Sequence, residues 1–169
     1  EIEMPGHGMG ALASYPWLGC TGGPYEVWTR WGISEDVYCA GKDTTYEFIE
    51  HVLEEVIGLF PSRLIHIGGD ECPKQRWKEC PACRKRMAEE NIRDEKALQS
   101  YFVRRIEKWL QAHGREIIGW DEILEGGVSP TATIMVWRDQ QHGVAAVRKG
   151  NRVIMTPKWN CYLDYRQTS

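Results

Sequence analysis

Four short apolar runs, "RLIHIG", "EIIGW", "TIMVW" and "RVIMT", recur along the chain with amphipathic stretches between them. Continuously apolar strands separated by helices of that kind imply a parallel sheet covered by helices. Each run also ends in polar or aromatic residues. "LIHIGG" leads into Asp70 and Glu71, and "EIIG" leads into Trp120, Asp121 and Glu122. "TIMV" leads into Trp137 and Arg138, and "RVIMT" is followed by Trp159, Tyr162 and Asp164. Parallel α/β folds place their sites at the carboxyl ends of strands. An open sheet concentrates the site at one switch point, whereas a closed barrel gathers all eight ends at one mouth. Four successive decorated ends therefore point to an α/β fold of the (β/α)8 TIM-barrel type. Such a barrel takes about 250 residues. This chain has 169, so the expectation is a partial barrel with about five of the eight strands, cut from a larger domain.

The helices are legible from their spacing. "DTTYEFIEHVLEEVIGLF" repeats apolar residues at Ile49, Val52, Leu53, Val56, Ile57 and Phe60, and Pro61 stops it. Thr44 with Glu47 reads as a capping box. "DEKALQSYFVRRIEKWLQAHG" aligns Leu98, Phe102, Ile106, Trp109 and Leu110, with Asp94 as N-cap and Gly114 just past the end. A short helix is expected around "QHGVAAVRKG". No low-complexity segment or linker interrupts the pattern, so residues 1–169 read as part of a single domain.

Charge and hydropathy exclude some partners. A net charge of -3 gives no reason to expect nucleic acid or an anionic membrane. No apolar run approaches the roughly 18 residues needed to cross a bilayer. The chain opens "EIEMPGH" without an initiator Met and reads as the middle of something longer. Eight Trp accompany seven Tyr; some serve packing, but flat rings also suit the apolar faces of sugars.

Six cysteines leave more than one reading open. The run "CPKQRWKECPAC" contains Cys72, Cys80 and Cys83, the last two with C-x-x-C spacing. A local disulfide or free thiols is the favoured reading, because a second knuckle is missing. The alternative is a structural metal with Cys72 as third ligand.

Two like charges placed side by side at a strand end, behind two glycines, need an explanation. The glycines let the backbone turn and a ligand approach. With both side chains at the mouth, one carboxyl can act as a general acid while its neighbour, ionised, steadies positive charge. Glycoside hydrolysis needs both roles. Rival readings are a solvated helix-capping pair, or a divalent-cation site built from Asp70, Glu71, Asp121 and Glu122. The surrounding aromatics argue against the cation.

The sequence resembles the family 20 glycoside hydrolases, the β-N-acetylhexosaminidases. The resemblance rests on "EIEMPGH", "FPSRLIHIGGDE", "IIGWDEIL", "IMVWR" and "YLD", in order and across nearly the whole chain. It implies a (β/α)8 barrel, of which this chain covers roughly strands 3 to 7. It also implies removal of terminal N-acetylhexosamine with retention, through attack by the substrate's own 2-acetamido oxygen and a cyclic oxazolinium intermediate. On that resemblance Glu71 is the acid and then the base, and Asp70 orients the acetamido group. Trp120 and Trp137 are walls of the acetamide pocket, Tyr162 a donor to the acetamide oxygen, and Asp164 a ligand of a sugar hydroxyl. His7 stands near the acid, Glu122 serves substrate binding or loop structure, and Trp159 lines a wall or an outer subsite. No cofactor is implied. The partner is an N-acetylhexosamine-containing oligosaccharide or glycoconjugate.

The family's first-strand arginine and its Trp and Glu near the eighth strand are absent from this chain. Exported members are common and the cysteines allow an oxidising compartment, so the expected location is periplasmic, secreted or lysosomal. Open strand edges in an incomplete barrel could pair copies as a homo-oligomer. A non-catalytic carbohydrate-binding barrel, or an inactive piece of the enzyme, is the alternative reading.

Overall fold

The computed structural model describes residues 1–164 and 166. In chain order the elements are α1 (Met9–Ser14), α2 (Asp43–Leu59), β1 (Leu64–His66), α3 (Gln75–Glu79), α4 (Pro81–Glu89), α5 (Glu95–Ala112), β2 (Glu116–Trp120), β3 (Thr133–Val136), α6 (Gln140–Arg148), β4 (Arg152–Met155) and α7 (Lys158–Cys161). The 3-10 turns Pro16–Leu18 and Asp121–Leu124 complete them.

The four strands form one sheet in the order β1-β2-β3-β4. Every neighbouring pair is parallel. Residues 1–4 extend the sheet beyond β1: Ile2 N–H donates to His66 O at 2.9 Å, and Met4 makes a parallel bridge to Gly68. That is the partial (β/α)8 barrel expected, an arc of strands with helices packed on one side. Among the described residues, no helix is long and apolar enough to cross a membrane.

The core lies between sheet and helices. Ile65, Ile67, Ile117, Ile134 and Val136 from the sheet region meet Tyr46, Ile49 and Leu53 of α2 and Leu98, Phe102, Ile106 and Leu110 of α5. The α5 positions follow the predicted apolar stripe. Its start matches too: Asp94 accepts from Ala97 N–H at 2.8 Å. At its end Gly114 adopts φ +69, and Arg115 N–H returns to Leu110 O, closing the helix as glycine at C′ does.

The start of α2 departs from expectation. The helix begins at Asp43, after Lys42, and no side chain caps it, so Thr44 and Glu47 make no capping box. Lys42 instead donates to Trp17 O and Gly19 O. Asp43, in the first turn, accepts from Arg86 of α4 and Arg105 of α5. Tertiary ion pairs thus take over the terminus that a local cap would have served.

Candidate active site

The two carboxylates converge because the backbone abandons strand geometry after Ile67. On a strand, adjacent side chains point to opposite faces. Here Gly68, Gly69 and Glu71 all take positive φ, +67, +96 and +41. Glycine is needed at the second of these for space as well: a Cβ on Gly69 would meet Ile123 Cγ2 at 2.4 Å. Glu71 carries the left-handed conformation without that freedom, a strained position of the kind found at functional sites. The result brings Asp70 and Glu71 to one point. His7 Nε2 lies 3.4 Å from Asp70 Oδ2 and 3.4 Å from Glu71 Oε2.

The turn is held from behind. Gln99, buried on α5, donates to Gly69 O at 2.7 Å and accepts from Lys74, which also donates to Cys72 O. Gln99 and Lys74 thereby fix the carbonyls on either side of the carboxylate pair.

Electrostatically the pair is only half satisfied. Pairing with Asp70 holds His7 up at about 9 against the opposing effect of burial, so its imidazolium charge faces both carboxylates at neutral pH. Asp70 Oδ1 is buried with no hydrogen-bond partner among the described residues. Buried acceptors are rarely left so, and each such atom calls for an explanation. Glu3, also beside Asp70, is pushed up to about 7 by burial and by the Asp70 charge.

At the next strand ends the aromatics appear. The Trp120 indole donates to Glu1 at 2.6 Å and packs edge-on against His66, ring centroids 4.9 Å apart. Trp137 donates to Glu122, with oxygens at 3.0 and 3.2 Å. Burial pushes Glu122 up to about 7 in spite of that hydrogen bond and the neighbouring Arg138. The Lys158 ammonium lies 5.3 Å from the Trp137 ring centre and 5.2 Å from that of Trp159, linking the β3 and β4 ends. Trp159 is 72% exposed. Tyr162 is half-buried and Asp164 exposed, both following α7 in the chain after β4, the last strand of the sheet.

A groove of about 320 Å³ touches both Glu71 and Glu122, with Cys72, Lys74 and Gln99 on its walls. A larger hollow of about 570 Å³ is lined by Glu50, Tyr101, Arg105 and Trp109 on the outer helices and includes none of these groups. Volume does not select the site here; the convergence of chemistry does. Asp121 is no partner of the pair. It is fully buried and bonded to Arg138 at 3.1 Å, while Glu122 is taken by the Trp137 indole. The four-carboxylate cation reading thus loses two of its ligands.

Sequence reasoning missed several groups. Glu1 and Glu3 alternate with Ile2 in "EIE", a period-two signal for one face of a strand, and both reach the mouth. Gln99, inside α5, and Lys158, at the start of α7, gave no such signal. The cysteines also fall differently. Cys72 Sγ points to Pro73 O and is no third ligand; burial pushes its thiol up to about 11. Cys80 and Cys83 are joined instead by Cys20 and Cys39.

A parallel barrel arc carrying carboxylates and indoles together at its strand ends defines an α/β-barrel domain of the glycoside-hydrolase type. Residues 1–169 match the glycosyl hydrolase family 20 catalytic domain, and the chain belongs to that family. It is 54% identical over 168 residues to a beta-hexosaminidase of Porphyromonas gingivalis, covering 99% of this chain and 22% of that protein. A beta-hexosaminidase of Vibrio furnissii is 37% identical over 99% of this chain and 28% of its own length. The crystal structure of a β-N-acetylhexosaminidase from Bacteroides fragilis superposes with a TM-score of 0.89 at 35% identity, over 99% of this chain and 34% of that one. The chain thus spans about a fifth to a third of the length of these relatives.

Proposed function

We propose that this chain is the acid-bearing part of an exo-acting β-N-acetylhexosaminidase, which removes terminal non-reducing N-acetyl-β-D-hexosamine by a retaining, substrate-assisted mechanism. The observation that carries this reading is the unpartnered, buried Asp70 Oδ1 beside a Glu71 carboxyl that reaches the same histidine. An acetamido N–H is the donor such an oxygen lacks. On the sugar ring the acetamido group and the glycosidic oxygen are neighbours, which is why adjacent residues can serve both.

In the first step Glu71 gives its proton to the glycosidic oxygen while the acetamido carbonyl oxygen attacks the anomeric carbon. The leaving alcohol departs and the ring closes as an oxazolinium. Asp70 accepts the N–H and offsets the positive charge that develops on nitrogen and carbon. In the second step the Glu71 carboxylate takes a proton from water as that water attacks the anomeric carbon from the vacated face. The oxazolinium opens to restore the acetamide, with net retention. The nucleophile is already tethered, so the protein contributes chiefly by holding a near-attack geometry. Trp120 and Trp137 wall the acetamide, Tyr162 donates to its oxygen, Asp164 binds a sugar hydroxyl, and Trp159 extends the aromatic surface outward. Glu122 anchors the Trp137 indole. His7 positions both carboxylates.

The test is hydrolysis of a chromogenic N-acetylglucosaminide by the full-length parent protein and its Glu71→Gln variant. Wild-type turnover lost in the variant is expected. No wild-type turnover would favour a non-catalytic sugar-binding barrel, and turnover indifferent to Glu71→Gln would overturn the assignment.

A further inference from the structure

Outside the mouth, four thiols from three separate stretches of sequence meet at one point. Cys20 follows the 3-10 turn Pro16–Leu18, Cys39 precedes α2, Cys80 caps α4 and Cys83 lies in its first turn. Their sulfurs all lie within 4.8 Å of one another. The resolved separations are 3.6 Å for Cys39–Cys83, 3.7 Å for Cys39–Cys80 and 3.9 Å for Cys20–Cys83. A tetrahedron with metal–sulfur bonds of about 2.3 Å has edges of about 3.8 Å. The sulfurs thus have the spacing of tetrahedral ligands. Two disulfides would instead show two short separations and the rest long.

The surroundings are built for that convergence. Cys39 and Cys83 are fully buried, Cys80 is 5% exposed, and Cys20 is half-buried. Cys39 reaches Cys83 only because Gly41 lets the two backbones touch: a Cβ on Gly41 would fall 2.2 Å from the Ala82 carbonyl carbon. Cys80 and Cys83 also sit at the amino end of the nine-residue α4, where the helix dipole favours thiolates. A cluster of four thiols, three of them buried, has little to gain as free S–H groups, which are weak donors and acceptors.

We infer that Cys20, Cys39, Cys80 and Cys83 form a closed tetrathiolate site for a zinc-type divalent cation. Four sulfur ligands, tetrahedral spacing and burial describe a structural centre with no open position for chemistry. Loading exchanges four thiol protons for one divalent ion, leaving a tetrathiolate complex of net charge -2. The ion clasps the stretch that carries Cys20 and Cys39 to the segment that runs from Glu71 through Cys72 and α3 to Cys80. It therefore braces the segment that holds the proposed acid, although the inference stands independently of the hydrolase reading.

The experiment uses the full-length protein, purified without chelator, and measures metal by atomic emission alongside intact mass. About one zinc per chain is expected. Replacement by cobalt(II) under reducing, anaerobic conditions should give the visible bands and thiolate charge-transfer absorption of a tetrahedral tetrathiolate. A Cys39→Ser, Cys83→Ser double variant should lose the metal and melt several degrees lower, while Cys161→Ser should keep both. Should the double variant fail to fold, the wild-type cobalt spectrum decides. An intact mass four hydrogens low without metal, four free thiols that take up no zinc or cobalt, or full metal retention in the double variant would each overturn the site.

Discussion

His7 Nε2 stands 3.4 Å from Asp70 Oδ2 while the other Asp70 oxygen, Oδ1, is buried without a partner. One oxygen is held by a cation and the other is presented to whatever enters the mouth. Asp121 shows the same asymmetry, with Oδ2 bonded to Arg138 and Oδ1 buried and unpartnered, so what sets Asp70 apart is its place beside Glu71 and His7 at the mouth.

Asp70→Asn keeps the shape and removes the charge. It is expected to lower kcat by at least about 10²-fold, the scale of losing one preorganised charge contact. KM should change much less, because the positive charge it meets develops only after binding. Steady-state kinetics on the full-length enzyme check this. An effect confined to KM would mean that Asp70 serves ground-state binding alone.

The His7 pairing predicts a pH dependence of stability. Its folded pKa of about 9 lies above the ordinary 6.5, so folding gains from the protonated imidazole. The gain is complete below about pH 6.5 and is lost as pH rises toward 9. After allowance for solvent screening it is on the order of 1 kcal/mol. Thermal melts from pH 6 to 10 should show that loss in wild type and a flatter curve in His7→Gln. Identical curves would contradict the pairing.

Much of this arrangement is legible before any coordinates. The strands at Leu64, Glu116, Thr133 and Arg152 and the α5 stripe follow from local apolar patterns, which depend on period and little else. "HIGGDE" announces both the carboxylates and the glycines that let the chain turn. The positive φ of Glu71 is not announced, because no residue preference marks a glutamate for that region. The Gln99 contact behind Gly69 and the joining of Cys20 and Cys39 to Cys83 are long-range pairings that only the fold brings together. Cys72 was the tempting ligand because it is near in sequence; the fold turns its sulfur elsewhere.

Glu122 and Trp137 make a separable prediction. The carboxyl accepts the indole N–H at 3.0 Å and fixes that ring. Glu122→Gln retains an acceptor there and should leave KM within about threefold of wild type. Glu122→Ala should raise KM by about tenfold, equivalent to about 1.4 kcal/mol of lost positioning. Equal effects from the two variants would show that charge, rather than the indole hydrogen bond, matters at this position.

The central claim is that the substrate supplies its own nucleophile. The most direct measurement compares hydrolysis by the full-length enzyme of one aryl glucosaminide whose N-acetyl group carries zero, one, two or three fluorines. Fluorine withdraws electrons from the acetamido oxygen and weakens it as a nucleophile. The account predicts a kcat/KM that falls at every added fluorine. A rate unchanged across the series would mean that a protein group attacks the anomeric carbon, and would contradict the role given to Asp70.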